Sequence, residues 1–341
     1  MAGMILVAVS GKAHAQRFLA FSYGVKEGRM AELFAGPPPR LPGEFEPPPA
    51  LSDRPGYWKG VKDERLFSRV RKAKVVKVTL NKGGSSVSLR VRFADGSSAA
   101  FKPDQIHYQS MPRKEIVAYR VNRLLGLSRV PPATIRVFTK KEILGNLEGS
   151  VWLKRKLGEE INTRKDGSIP GELSWWIPKI TFLPLGKWEH RKRWYQWLKA
   201  YKRMPRKNFK MAAQLSVMLL FDFLIDNMDR FSGRNVCADS RGEHLYFMDN
   251  TLSFFPRNPH GSKATHTGLY RVQRFSRSFY KKLKALTGKK LRKELAKEKN
   301  PPWNLLEEKE FKMFMRRRAY ALRYMHRMIA NYGWEKTMVF P

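Results

Sequence analysis

The chain has 341 residues, 42% of them hydrophobic, with 67 Lys and Arg against 29 Asp and Glu, a net charge of +38. This composition excludes wholesale disorder and allows a large core in two lobes, while the charge favours anionic partners such as nucleic acid, acidic surfaces, acidic proteins or phosphorylated molecules. A single cysteine, Cys237, excludes an internal disulfide framework and an all-cysteine zinc site, and no run reaches the roughly 18 apolar residues expected of a transmembrane segment.

Met4–Val9 is a short apolar run, and Ala13-His14-Ala15 before Gln16 has the small-residue pattern of a cleavage site. The basic n-region is missing. Residues 1–15 are therefore read as a signal peptide, with a short buried strand as the alternative, and export to a periplasm or outside the cell is favoured over the cytoplasm. Residues 16–55 contain Pro-Pro-Pro twice, with further prolines at 42 and 55. Proline fixes φ and removes donors, so this is an extended strap rather than core.

Regular structure is expected from about Arg69. Val75–Leu80 and Val87–Phe93 alternate as strands, joined at Asn81-Lys82-Gly83-Gly84, and a turn at Ala94-Asp95-Gly96 leads into Ser97–Lys102. Ser110–Gly126 reads as a helix, with Ser110 as N-cap, Pro112 in the first turn and Gly126 as the stop. Val130–Val137 and Gly149–Leu157 read as further strands. The second half is helical, with helices over Glu189–Arg203, Asn208–Asp226, Ser276–Thr287, Gly288–Lys297 and Leu305–Tyr332. The expected fold is α+β and two-lobed: a small antiparallel-sheet lobe with one helix at 56–150, and a larger helical lobe at 151–341.

The chemistry-bearing residues fall in a fixed order. Lys102 ends a strand, and Glu115 lies in the first turn of the next helix. Asp222, Asp226 and Asp229 mark the end of an apolar helix, Asn235 follows a short loop, and Asp249 ends an apolar strand. Carboxylates disfavour the negative end of a helix dipole, and burying them requires a cation or donor. An Asp, an Asn a few residues on and an Asp after the next strand is the spacing of phosphotransferases. There one Asp orients the hydroxyl, and the Asn and second Asp hold divalent metal against nucleotide phosphates.

Phe101-Lys102-Pro103, Lys114 to Gly126, Val130-Pro131-Pro132, Phe221–Arg230 and Asp249 to Phe254 together resemble the atypical secretory-pathway kinases. That group includes the Golgi casein kinase and the Four-jointed kinase. The chain is more distantly similar to bacterial HipA-type and phosphoinositide-kinase-like proteins. The resemblance implies a protein-kinase-like fold using ATP with Mg²⁺ or Mn²⁺. It implies that Lys102 contacts the phosphates and that Glu115 pairs with Lys102 or with metal. It further implies that Asp229 is the catalytic aspartate, that Asp249 is a metal ligand and that Asn235 is the second metal ligand. Two departures stand out. Phe231 replaces the His that many relatives carry after Asp-Arg, and Asn235 follows Asp229 one residue later than in the ordinary kinase loop.

Other signals have two readings. Asn81–Ser86 suits either an anion nest or a plain hairpin turn. His107 and His244 lie nearest the site but have no ligand spacing. The basic, aromatic stretch from Arg191 to Lys207, Arg316-Arg317-Arg318 and Lys289–Lys297 suit solvated faces that bind nucleic acid only non-specifically. The expected activity is transfer of the ATP γ-phosphoryl group to a protein Ser/Thr or glycan hydroxyl, with an acidic protein or glycan as substrate. The alternative is a basic protein that binds nucleic acid or an anionic surface on an inactive scaffold of the same kind.

Overall fold

Alternating burial along Val75–Leu80 (β3), Leu89–Phe93 (β4) and Ser98–Pro103 (β5) gives each strand one core face and one wetter face. The computed structural model describes residues 56–81, 86–107, 110–233, 235–256 and 261–341. These belong to one compact unit, Pro47–Pro341. The expected leader at 1–15 and the proline-rich strap at 16–55 lie outside the described residues, as does most of the Asn81–Ser86 turn. Ahead of the sheet come two short strands, Tyr57–Trp58 (β1) and Val61–Lys62 (β2), and a helix, Asp63–Lys72 (α1). The sequence reading began too late to see α1. Its acids lie in the first turn and its bases in the last, matching the helix dipole. Leu66, Phe67 and Val70 form its buried stripe.

The main sheet has five strands in the order β3-β4-β5-β7-β6, all antiparallel, with Ala133–Thr139 as β6 and Ser168–Trp175 as β7. Strand β7 was not foreseen, yet it lies between β5 and β6, so the sheet draws on residues beyond the boundary expected at 150. Gly171 shows how tightly it fits: a Cβ there would sit 2.3 Å from the Phe101 ring. Gly149–Leu157, expected as a strand, is instead the start of a helix, Val151–Glu160 (α4), which follows a short helix at Lys140–Leu144 (α3). Ser150 caps α4 by accepting from the Leu153 N–H, and the Leu-Lys-Arg-Lys-Leu run behind it favours helix.

Helix α2, Pro112–Leu125, crosses the sheet with Lys114, Glu115, Arg120 and Asn122 all buried. Its N-cap is Met111 rather than Ser110 and makes no side-chain cap, and Gly126 ends it in the left-handed region at φ 66°. After two-residue strand Thr181–Phe182 (β8), helix α5 runs Trp188–Trp197, shorter than expected because Leu198 already caps it. Helix α6, Phe209–Ile225, is apolar on every side and buried from Ala212 onward. Counted from Arg206, it is long and apolar enough on average to cross a bilayer by length and composition, but 78% of its most apolar stretch is buried inside the protein. The strands Val236–Ala238 (β9) and Leu245–Phe247 (β10) complete a small second sheet with β8.

Helix α7, Lys263–Arg271, was not anticipated. It packs on α6 and is capped by Ser262. The remaining helices, Arg277–Ala285 (α8), Gly288–Leu295 (α9), Glu308–Tyr332 (α10) and Trp334–Thr337 (α11), enclose one large core with α6 at its centre. A second core lies within the main sheet. The fold is α+β, as the sequence predicts.

Candidate active site

A cleft of about 350 Å³ opens between the main sheet and the β8–β10 sheet. Its lining includes the apolar side chains of Ile177, Ile180, Phe182, Cys237 and Met248 together with Lys102, Glu115, Asn235 and Asp249. Four polar residues far apart in sequence therefore share one cleft.

Lys102 comes from β5 on the face of the sheet that lines the cleft. Its Nζ donates to Asp249 Oδ1 at 2.6 Å. The lysine side chain is 13% exposed and that of Asp249 is 41% exposed, so the aspartate is open to the cleft. Burial alone would lower the lysine pKa, but the charges of Asp249 and Glu115 outweigh it and hold it above the usual value. Burial likewise raises Asp249, and Lys102 more than offsets it, leaving the carboxylate below its usual value. Asp249 stands in the left-handed region at φ 54°, a conformation that ordinary side chains adopt at a cost. Thr251 Oγ1 also donates to Asp249 Oδ1, at 3.0 Å.

Glu115 enters from the first turn of α2. It acts on Lys102 through its charge rather than through an ion pair. Its two oxygens accept instead from the Asn250 backbone N–H at 2.5 Å and from Asn250 Nδ2 at 2.8 Å. Burial raises its pKa, and Lys102 and the two Asn250 bonds partly offset this. Asn250 passes the connection on: Arg230 Nη2 donates to its Oδ1 at 2.7 Å, and Arg230 in turn grips buried Asp222 at 3.0–3.1 Å. Asn227 Nδ2 bridges to the Asp249 carbonyl and to Asn250 Oδ1, each at 3.2 Å.

Asp229 sits half-buried in the loop after α6. Asn235 Nδ2 donates to its Oδ2 and to its carbonyl, both at 2.9 Å, and the Ser232 hydroxyl donates to its Oδ1. Asn235 therefore ties Asp229 to the cleft that Lys102 and Asp249 line. The one-residue lengthening of this loop has not moved Asn235 away from the site. Asp226 faces elsewhere, accepting from Ser262 N at 2.7 Å and Thr265 Oγ1 at 2.8 Å at the start of α7. Repulsion between Asp222 and Asp226, expected from their helical spacing, is thus met by separate partners.

The oxygen donors suit a hard divalent ion. Asp249 presents a carboxylate to the cleft beside the side chain of Asn235, and no group of three or more His, Cys, Asp or Glu among the described residues forms an all-protein cage. Mg²⁺ and similar ions bind through one or two protein carboxylates, with phosphates and water completing the shell. His107 contributes no residue to the cleft wall. His244 packs against the Tyr246 ring at 5.0 Å, and burial first of all lowers its pKa to about 3.

A second hollow of about 540 Å³ is lined by residues of the Asn227–Ser232 loop and of α5, α6 and α7. Arg191, Tyr195, Met228, Phe231 and Lys263 line it. Arg191 lies over the Phe231 ring at 4.9 Å, and that ring stacks on Trp194 at 6.0 Å. Phe231, the departure from the His of many relatives, is thus a floor for this hollow. Sequence reading missed the apolar lining of the first cleft, the Arg230–Asn250 relay, and Glu172 on β7, a fully buried carboxylate opposite Lys102. The alternating Ile169, Gly171, Leu173 pattern before Trp175-Trp176 was the available signal for β7.

Comparison with known proteins follows the same outline. The family model of the Four-jointed box protein middle domain matches residues 62–253. Similar solved structures include the Golgi casein kinase with Mn/ADP bound, 16% identical with a TM-score of 0.64 over 81% of this chain and 78% of that one. The Golgi casein kinase in another structure is 17% identical, with a TM-score of 0.62 over 80% and 77% of the two chains. Hydra Fam20 with sugar is 18% identical, with a TM-score of 0.62 over 80% and 91%. No curated protein matches by sequence. At these identities the likeness to solved structures is one of fold.

Proposed function

Starting from the Four-jointed box family, to which this chain belongs, we propose that it is an atypical kinase moving the γ-phosphoryl group of ATP to a hydroxyl. The observation that carries this reading is the convergence of Lys102, Glu115, Asn235 and Asp249 on one cleft that apolar side chains also line. The apolar lining suits a nucleobase and the charged groups suit phosphates. A Mn/ADP-bound structure of a kinase with this fold supports a nucleotide and divalent metal here too.

In this mechanism Asp249 and Asn235 would hold Mg²⁺ or Mn²⁺, which would supply positive charge to the phosphate oxygens. Lys102 leaves Asp249 to meet the phosphates. Glu115 fixes Asn250, and through it the backbone that carries Asp249. Asp229, braced by Asn235 and Ser232, accepts the proton of the acceptor hydroxyl as the new bond to phosphorus forms. Positioning and electrostatics supply most of the rate. The hollow lined by Arg191 and Lys263 suits an acidic acceptor, protein or glycan, entering beside Asp229. The Golgi relative supports an exported protein.

Replacing Asp229 with Ala should lower transfer from labelled ATP to an acidic protein acceptor by about 10²–10⁴-fold, the usual contribution of a positioned base. Binding of Mn·ADP should persist. Undiminished transfer by Asp229→Ala would reject the assignment.

A further inference from the structure

Three carboxylates bear on the Lys102 ammonium, those of Asp249, Glu115 and Glu172. Asp249 already accepts from Lys102 and Thr251, and it faces the cleft. Both oxygens of Glu115 are taken by Asn250. Glu172 differs. It is directly opposite Lys102 in the β5–β7 register, so both side chains stand on the same face of the sheet. It is fully buried. Neither oxygen completes a hydrogen bond, although the Ser174 hydroxyl on the same face lies close enough to temper its charge. A buried carboxyl without donors costs free energy, and such a group inside a charged site calls for a partner that arrives in another state.

We infer that Glu172 is the positioning residue that takes hold of Lys102 when metal and phosphates claim Asp249. This inference rests on the kinase reading above. In this structure Asp249 anchors the ammonium. Binding of metal–nucleotide removes that anchor, since one carboxylate oxygen cannot serve both cations equally. Lys102 then needs a fixed acceptor behind it while its remaining donors reach the phosphates, and an ammonium has three donors to share. Glu115 is committed to Asn250, so the acceptor across the ladder is Glu172. The pairing leaves the substrate-facing wall unchanged and locks the lysine from the core side.

Glu172→Gln keeps the shape and removes the charge. Because it also removes an unsatisfied buried carboxyl, its melting temperature should equal or exceed that of the wild type. Calorimetry should show Mn·ADP bound about tenfold more weakly, the scale of a lost charge-assisted hydrogen bond, with a parallel fall in ATP turnover. Glu172→Asp, which keeps the charge, should fall closer to the wild type than Gln in both. Wild-type affinity and turnover in Glu172→Gln would overturn the inference while leaving the kinase reading intact. Failure of the wild type itself to bind Mn·ADP would remove both.

Discussion

Of the five aspartates between Phe221 and Asn250, four of the same chemistry meet four different fates. Asp222 is buried against Arg230, Asp226 caps the entry to α7, Asp229 is braced by Asn235, and Asp249 meets Lys102. Sequence order sets Asp229 and Asp249 apart from their neighbours as candidate site residues, because their loop and strand-end positions follow from the hydrophobic pattern. It could not separate Asp226, whose partners Ser262 and Thr265 are brought by a helix with a weak apolar stripe. Glu172 was invisible for a similar reason: a lone acid in a short alternating run reads as a solvent-facing position until the strand is found inside the sheet. Burial above all, with the charge of Glu115 second, raises its pKa to about 8. Between the ordinary value of 4.5 and about 8 the folded chain keeps a proton that the unfolded chain releases. Its contribution to stability is therefore complete below the lower value and is lost as pH rises through the upper one. Urea midpoints measured at about pH 6 and about pH 9 should fall more for the wild type than for Glu172→Gln. Parallel losses would show that the group titrates alike in both states.

Helix α6 was the element most legible in advance, since continuous apolar content with an acidic end leaves little choice but a buried helix. What fixes its end is less legible. Asp226 adopts the left-handed region at φ 54°, and Arg230 folds back to pair with Asp222 eight residues earlier while also donating to the Met248 carbonyl. This clasp holds the loop after α6 against the segment that follows β10 and carries Asp249. Breaking a buried pair from one side leaves an uncompensated charge, so Asp222→Ala should cost about 3–5 kcal/mol in urea unfolding. A loss below about 1 kcal/mol, the scale of an exposed pair, would contradict that role. Elements around the main sheet were harder to read. Short runs such as Gly149–Leu157 carry no period long enough to choose helix or strand, and here the Ser150 cap decided for helix. Strand β7 escaped because Pro170 and Gly171 look like a break. In fact Gly171 is there to admit the Phe101 ring, and Pro170 is tolerated within the ladder beside it.

At the scale of the molecule, a +38 protein concentrates its few acids where they are paired or poised. Glu115, Glu172, Asp222 and Asp249 belong to one connected region around Lys102 and Arg230, while the surplus cations include Arg191 and Lys263 beside the second hollow. A cationic surface of this kind favours anionic partners in general. The two-part organisation was legible from the switch between strand-rich and helix-rich patterning; the clasp and the relay between the parts were not, because they depend on side chains meeting across long separations. The reading as a whole turns on Lys102 and Asp249 sharing one metal–nucleotide. Titration calorimetry of Mn·ADP into the wild type and Asp249→Ala tests this most directly. Binding that requires Mn²⁺ and falls at least about a hundredfold in the variant, a difference of roughly 2.7 kcal/mol, is the predicted result; equal binding by both proteins, or none by the wild type, would contradict it.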